Sequence, residues 1–256
     1  DIATLNVSGL TDATQYWLNV VVRDEAGNKA AFTTVSVTTP DGTPPVPGDS
    51  GNLALANVAG TSLDVNWTVG TDNDTAQADL QYRVFYSQSA NIADEAAAQA
   101  NGTAATGWTT NVATANVTGL SDYTDYWFNV LVRDWNNNIA AYTMATTTTL
   151  DVTPPTVGNG GVLATAAVVS DGFDLSWASA ADTATATSTL EYRVFYSTSN
   201  DIDTVANAEA NGTLAVDWTA DLTNTSLSGL SDGTQYWVNV VVRDDAGNES
   251  AYSTRD

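Results

Sequence analysis

Hydrophobic and polar residues alternate along much of the chain with a period of two. Leu63, Val65 and Trp67 fall on one side of a short run, and Asp64, Asn66 and Thr68 on the other. Phe173, Leu175 and Trp177 repeat this arrangement. Tyr82, Val84 and Tyr86 form a second set, and Tyr126, Phe128, Val130 and Val132 a third, with Asn129 and Arg133 opposite. A period of two sends successive side chains to opposite faces of a β-strand. Turn formers interrupt the runs at Thr71-Asp72-Asn73-Asp74, Ser121-Asp122 and Asp24-Glu25-Ala26-Gly27-Asn28. Several short strands divided by such turns predict an all-β sandwich.

One segment departs from this pattern. The Ala-rich stretch 92–101, closed by Gly102, and its counterpart 202–211, closed by Gly212, predict a short helix inserted between strands. Glycine favours the C-terminal cap. The third strand set also has an unusual second face, which carries Trp127 and Leu131; Phe85 likewise faces away from its core partners. An apolar outer face needs a cover. Either the Ala-rich helix or the stems of Arg83 and Arg133 lie over it, an arginine adding a cation–π contact, or the aromatics form an open platform for a sugar or a protein.

The pattern is repeated. Gly9-Leu10, Gly119-Leu120 and Gly229-Leu230 recur every 110 positions, as do Tyr16-Trp17, Tyr126-Trp127 and Tyr236-Trp237, and Arg23-Asp24, Arg133-Asp134 and Arg243-Asp244. Trp67 and Trp177, Trp108 and Trp218, and Thr43-Pro44-Pro45 and Thr153-Pro154-Pro155 share the same offset, with no insertion or deletion. This divides the chain into the C-terminal part of a truncated copy, 1–44, and two full copies, 45–154 and 155–256. Paired prolines at each start remove backbone donors and stiffen the joint. In 1–44 the inward residues Tyr16, Leu18, Val20 and Val22 would face no opposing sheet. Either upstream sequence or strands from another copy of the chain complete it.

Trp67, the run Tyr82-x-Val84-x-Tyr86, and Gly119-Leu120-x-Asp122-x-Thr124-x-Tyr126-x-x-x-Val130 resemble the fibronectin type III domain. The resemblance covers the whole chain and implies tandem immunoglobulin-like β-sandwiches, with Trp67 and Trp177 as the core tryptophans. It also implies that Tyr16, Tyr126 and Tyr236 make tyrosine corners, bonding back to the preceding loop. The helical insertion departs from the family pattern. The Asp-x-Thr-Pro-Pro joint and the Arg-Asp-x-Ala-Gly-Asn turn look like those of large bacterial surface proteins. There is no Arg-Gly-Asp sequence to imply integrin-type adhesion.

Charge narrows the function classes. Thirty acids against seven bases give a net charge of −23, which argues against binding nucleic acid or an anionic membrane. No apolar stretch reaches the roughly 20 residues of a membrane-spanning helix. The absence of Cys and His excludes thiolate sites and Cys- or His-based nucleophile pairs.

Oxygen ligands remain, and they point to calcium as the candidate cofactor. In the predicted sandwich the incoming linker, the loop after the first Trp strand and the loop after the Tyr-corner strand meet at one pole. They carry Asp41, Asp72 and Asp134 in one copy and Asp151, Asp182 and Asp244 in the next. Asn138 and Asn248 could add carbonyl ligands. Alternatively, each Asp makes only an Asx-turn in its own loop. Asn-x-Ser/Thr triplets at Asn6, Asn66, Asn73, Asn101, Asn116, Asn211, Asn224 and Asn248 are candidate glycan sites, in a composition that also produces such triplets by chance. Paired carboxylates of the glycosidase kind have no motif to mark them.

The expected role is an extracellular, cell-surface stalk or spacer, structural or adhesive and not enzymatic, with calcium at its joints. Its partners would be the neighbouring repeats, other copies of itself, or surface glycans and proteins. A self-assembling filament subunit is one alternative. The other is a carbohydrate-binding or spacer module of a polysaccharide-active enzyme, with Trp127 and Trp237 as platforms.

Overall fold

The computed structural model describes residues 2–256, so only residue 1 of the truncated copy lies outside it. The chain divides into two compact units, Asp1–Thr149 and Leu150–Asp256. The truncated copy thus shares a unit with the first full copy, and the division falls just before the second Thr-Pro-Pro joint.

Each full copy is a sandwich of two antiparallel sheets. In the first, Leu53–Ala56, Ser62–Trp67 and Thr114–Thr118 form one sheet with Ser62–Trp67 in the middle. The facing sheet is built on Asp125–Arg133 and Gln81–Ser87. Ile139–Ala141 and Ala145–Thr148 extend it at one edge, and Thr103–Ala104 and Thr109–Thr110 at the other. The period-two reading sets the register. Phe128 lies opposite Tyr86, Val130 opposite Val84 and Val132 opposite Tyr82. These residues close on Leu63, Val65 and Trp67 from the other sheet, forming a buried core. Leu175, Trp177, Tyr192, Val194, Val238, Val240 and Val242 build the same core in the second copy.

The inserted helices are Glu95–Asn101 and Val205–Asn211. They start a few residues later than the composition predicts, because capping side chains define their first turns. Asp94 accepts from the Ala97 amide at 2.8 Å, and Thr204 from the Asn207 amide at 3.1 Å. Ile92 and Ile202, ahead of the caps, are fully buried. The closing glycines are the C-caps, as expected: the Gly102 and Gly212 amides donate to the Ala98 and Ala208 carbonyls at 3.0 Å, in extended rather than left-handed backbone, with φ −83° and −80°. Close approach demands glycine there. A Cβ on Gly102 would stand 2.6 Å from the Ala98 carbonyl oxygen and 3.1 Å from the Phe85 side chain.

These helices cover the second face of the larger sheet. Phe85, Ile92, Ala98 and Leu131 form a satellite core, with Trp108, Trp127 and Met144 packed around it. Phe195, Ile202, Ala208 and Val241 repeat it, with Trp218 and Trp237. Arg133 lies over the Trp108 ring at 4.4 Å, and Arg193 and Arg243 over Trp218 at 4.6 and 4.1 Å. Asn129, on this face, is completely buried and donates to the Ile92 carbonyl at 2.6 Å, tying the pre-helix loop to the sheet.

The truncated copy has no such cover. Gln15–Leu18 pairs with Val35–Thr38, and Val21–Arg23 with Lys29–Ala31. Val20 and Val22 are exposed, and Trp17, the counterpart of Trp127, is 67% exposed.

Candidate metal centre

Three loops of the first full copy converge at one pole, and each is held by bonds within the repeat. The loop after Ser62–Trp67 is fixed by two buried tyrosines. Tyr82 accepts from the Gly70 amide at 2.8 Å, and Tyr142 donates to the Thr68 carbonyl at 2.6 Å. A bridge between Val46 and Thr71 ties the same loop to the incoming chain. Tyr192, Tyr252 and the Thr156–Ala181 bridge do the same in the second copy. Burial raises the Tyr82, Tyr142, Tyr192 and Tyr252 hydroxyls above the ordinary tyrosine value, most strongly at Tyr142 and Tyr252.

The Asp72 loop folds on its own carboxylate. Asp72 Oδ1 accepts from the amides of Asp74 and Thr75, at 3.0 and 2.7 Å. The turn after Asp125–Arg133 closes in the same manner. Asp134 Oδ1 accepts from the Asn138 amide at 2.8 Å, and its Oδ2 from the Asn138 side chain at 2.7 Å. Thr75 Oγ1, buried between the two loops, accepts from the Trp135 amide at 3.4 Å. Asp41 completes the cluster from the linker. Its Oδ1 accepts from the Thr43 amide and the Asn73 side chain, both at 3.1 Å.

Asp41, Asp72 and Asp134 each bring a carboxylate oxygen within 4.8 Å of the others, and Asp151, Asp182 and Asp244 do so in the second copy. Both sets predicted from sequence are therefore assembled. Asp41 is 6% exposed and Asp134 3%. Oδ2 of Asp41 and Oδ2 of Asp72 are buried without a hydrogen-bond partner. The Asx-turns expected as the alternative are also present, so local turns and a cluster coexist. Among the described residues, no arginine or lysine forms an ion pair with Asp41, Asp72, Asp134, Asp182 or Asp244. Like charges at this separation repel by about 3–4 kcal/mol per pair at an effective dielectric of about 20.

Asn138 and Asn248 take a different part from that expected of carbonyl ligands. Asn138 turns its amide nitrogen toward the carboxylate of Asp134 and the main-chain carbonyl of Asp41, at 2.7 and 3.2 Å. Asn248 does the same with Asp244 and the Asp151 carbonyl, at 2.9 and 3.4 Å. They orient the acids and the linker. Several triplet asparagines are also engaged: Asn73 with Asp41, Asn101 with the Asn91 carbonyl, Asn116 with Asp64 and Asn211 with the Asp201 carbonyl.

The truncated copy supplies an internal comparison. Asp24 and Asn28 form the same turn, with both side-chain bonds at 2.8 Å, and stand fully in solvent. Hydrogen bonds from the Asn28 side chain and amide hold the Asp24 carboxyl below the usual range. The turn therefore forms without the other two acids. Beside the linker that carries Asp41, Asp12 accepts from the Thr43 hydroxyl at 2.5 Å and the Gly42 amide at 3.4 Å, which lower its pKa.

At the opposite pole, Tyr126 Oη accepts from the Ser121 amide at 3.0 Å, five residues back. Tyr16 and Tyr236 make the equivalent bond to Thr11 and Ser231. This corner sits on a sandwich of a three-stranded sheet facing one in which Asp125–Arg133 and Gln81–Ser87 are central. The repeats are fibronectin type III-like.

No family model matches the chain. Its fibronectin type III-like repeats are 31% identical over 240 residues to Exoglucanase B of Cellulomonas fimi, covering 86% of this chain and 20% of that protein. They are 32% identical over 142 residues to Chitinase A1 of Niallia circulans, covering 54% and 18%. The chain thus spans about a fifth of the length of these relatives. Solved structures similar to it include the FN1–FN3 domains of chicken CNTN1 (14% identity, 90% of this chain and 71% of that one, TM-score 0.35). A two-domain fibronectin type III segment from chicken tenascin is another (16% identity, 83% and 98%, TM-score 0.31).

Proposed function

We propose that the chain is a non-catalytic extracellular spacer, in which each fibronectin type III-like repeat contributes length. The observation that carries this reading is the fidelity of the repeat. The 110-residue unit recurs in sequence without insertion or deletion, and the central strands and the inserted helix recur with it. Stability in such an array is close to a sum over repeats and joints. The relatives named for chitin and glucan support placing such a module beside polysaccharide-active domains outside the cell. Among the described residues no helix is long and apolar enough to cross a membrane.

The platform alternative asks for open indoles at Trp127 and Trp237. Both are half-buried in the satellite cores, which favours the spacer. A pull-down of the chain on insoluble chitin and cellulose tests the choice. A spacer stays in the supernatant. Saturable retention would replace the spacer reading with a carbohydrate-binding one.

A further inference from the structure

We propose that each full repeat binds one calcium ion at the pole where its linker enters, through Asp41, Asp72 and Asp134 in the first and Asp151, Asp182 and Asp244 in the second. The donors are all oxygens, as a hard cation requires, and the chain has no His or Cys to favour a softer one. Two oxygens on one Ca²⁺ lie no farther apart than about 4.6–5.2 Å, twice its usual bond length. The three acids of each cluster meet that limit, being within 4.8 Å of one another.

Acid clusters alone are common, and the decisive feature is Asp41. It is 6% exposed, its Oδ1 is engaged by Thr43 and Asn73, and its Oδ2 has no partner. A buried carboxylate oxygen without a donor is costly unless a cation meets it. Asp72 Oδ2 is in the same condition. Asn138 meanwhile donates from its side-chain amide to the Asp134 carboxylate and to the Asp41 main-chain carbonyl, an outer-shell role that fixes ligands in place. Because Asp41 and Asp151 belong to the linkers and the other four acids to loops, the ion fastens each Pro-Pro linker to the repeat it enters. Calcium at this pole and the spacer role stand or fall separately.

The test is calcium titration calorimetry on the full chain after chelator treatment, at physiological ionic strength, with melting followed in parallel. The expected result is two sites per chain, matching the two clusters, with a Kd on the order of 10⁻⁴–10⁻³ M or tighter and a calcium-dependent rise in melting temperature. Asp72→Asn keeps the Oδ1 acceptor of its turn and should remove one site. Asp72→Asn with Asp182→Asn should remove both, with far-UV circular dichroism unchanged. Asp24→Asn, in the same turn outside any cluster, should leave both. The assignment is overturned by no saturable binding at millimolar calcium, by two sites surviving in the double variant, or by an equal response to magnesium.

Discussion

The side-chain amide of Asn138 donates to the main-chain carbonyl of Asp41 at 3.2 Å, joining the turn after Asp125–Arg133 to the linker that precedes the repeat. The same bond runs from Asn248 to Asp151 at 3.4 Å. Each linker is therefore part of the repeat it introduces. The division of the chain just before Leu150 reflects this, leaving Asp151 in the unit whose loops it contacts.

Asn138→Ala should destabilise the unit ending at Thr149 by about 1–2 kcal/mol, since it removes bonds to Asp134 and to the Asp41 carbonyl at a half-buried position. Asn28→Ala removes the equivalent bonds to Asp24 in solvent and should cost clearly less than Asn138→Ala. Urea unfolding of the two variants in calcium-free buffer measures the difference. Equal losses would mean that the linker contact contributes nothing.

Gly102→Ala should cost about 1–3 kcal/mol, because the added carbon drives into the Ala98 carbonyl and Phe85. Gly102→Asn separates this account from a capping one. Asparagine is tolerated in left-handed caps, yet it carries the same Cβ. Both variants should melt below the parent chain by comparable amounts, and a neutral Asn variant would restore the capping explanation.

Strand positions, core and repeat boundaries were legible because a period of two leaves its mark on Leu63, Val65 and Trp67 and on every set like them. The acid cluster was legible through the fold, since only the sandwich brings Asp41, Asp72 and Asp134 to one pole. Other features left no local signal. Asn129 reads as a polar outward residue, but it is fully buried because the inserted helix folds over it. The glycine after the helix reads as a cap and is one, but its second constraint, the distance to a side chain on another strand, leaves no local mark. Asn138 reads as a carbonyl ligand, and sequence cannot say which end of an amide faces a carboxylate.

Tyr142 beneath the Asp72 loop and Tyr252, its counterpart in the second copy, predict an alkaline limit. Burial raises the Tyr142 and Tyr252 hydroxyls above the ordinary value of 10.0. Above that pH the unfolded chain loses phenolic protons that the folded one keeps, so unfolding becomes more favourable as pH rises. Stability should be complete below pH 10 and fall above it, on the way to the raised folded-state values. Tyr142→Phe should lose about 1 kcal/mol at neutral pH with its bond to Thr68, and should decline less steeply above pH 10. Urea midpoints from pH 7 to about pH 11 report both effects. An identical alkaline slope in the two proteins would exclude Tyr142 as a source.

Trp127 distinguishes a covered face from an open one. Its ring packs with Phe85, Ile92, Ala98 and Leu131 beneath the helix, whereas Trp17, the same position without a helix, is 67% exposed. If the cover is structural, Trp127→Ala opens a cavity in the satellite core and should cost about 2–4 kcal/mol. Trp17→Ala should be nearly neutral, within about 0.5 kcal/mol. A sugar platform predicts the reverse pattern at Trp127: unchanged stability, with loss of whatever polysaccharide retention the parent shows. Thermal melts and the polysaccharide pull-down on both variants decide between them. A stable Trp127→Ala protein would show that the helix and the arginine stems do not need the indole to hold that face closed.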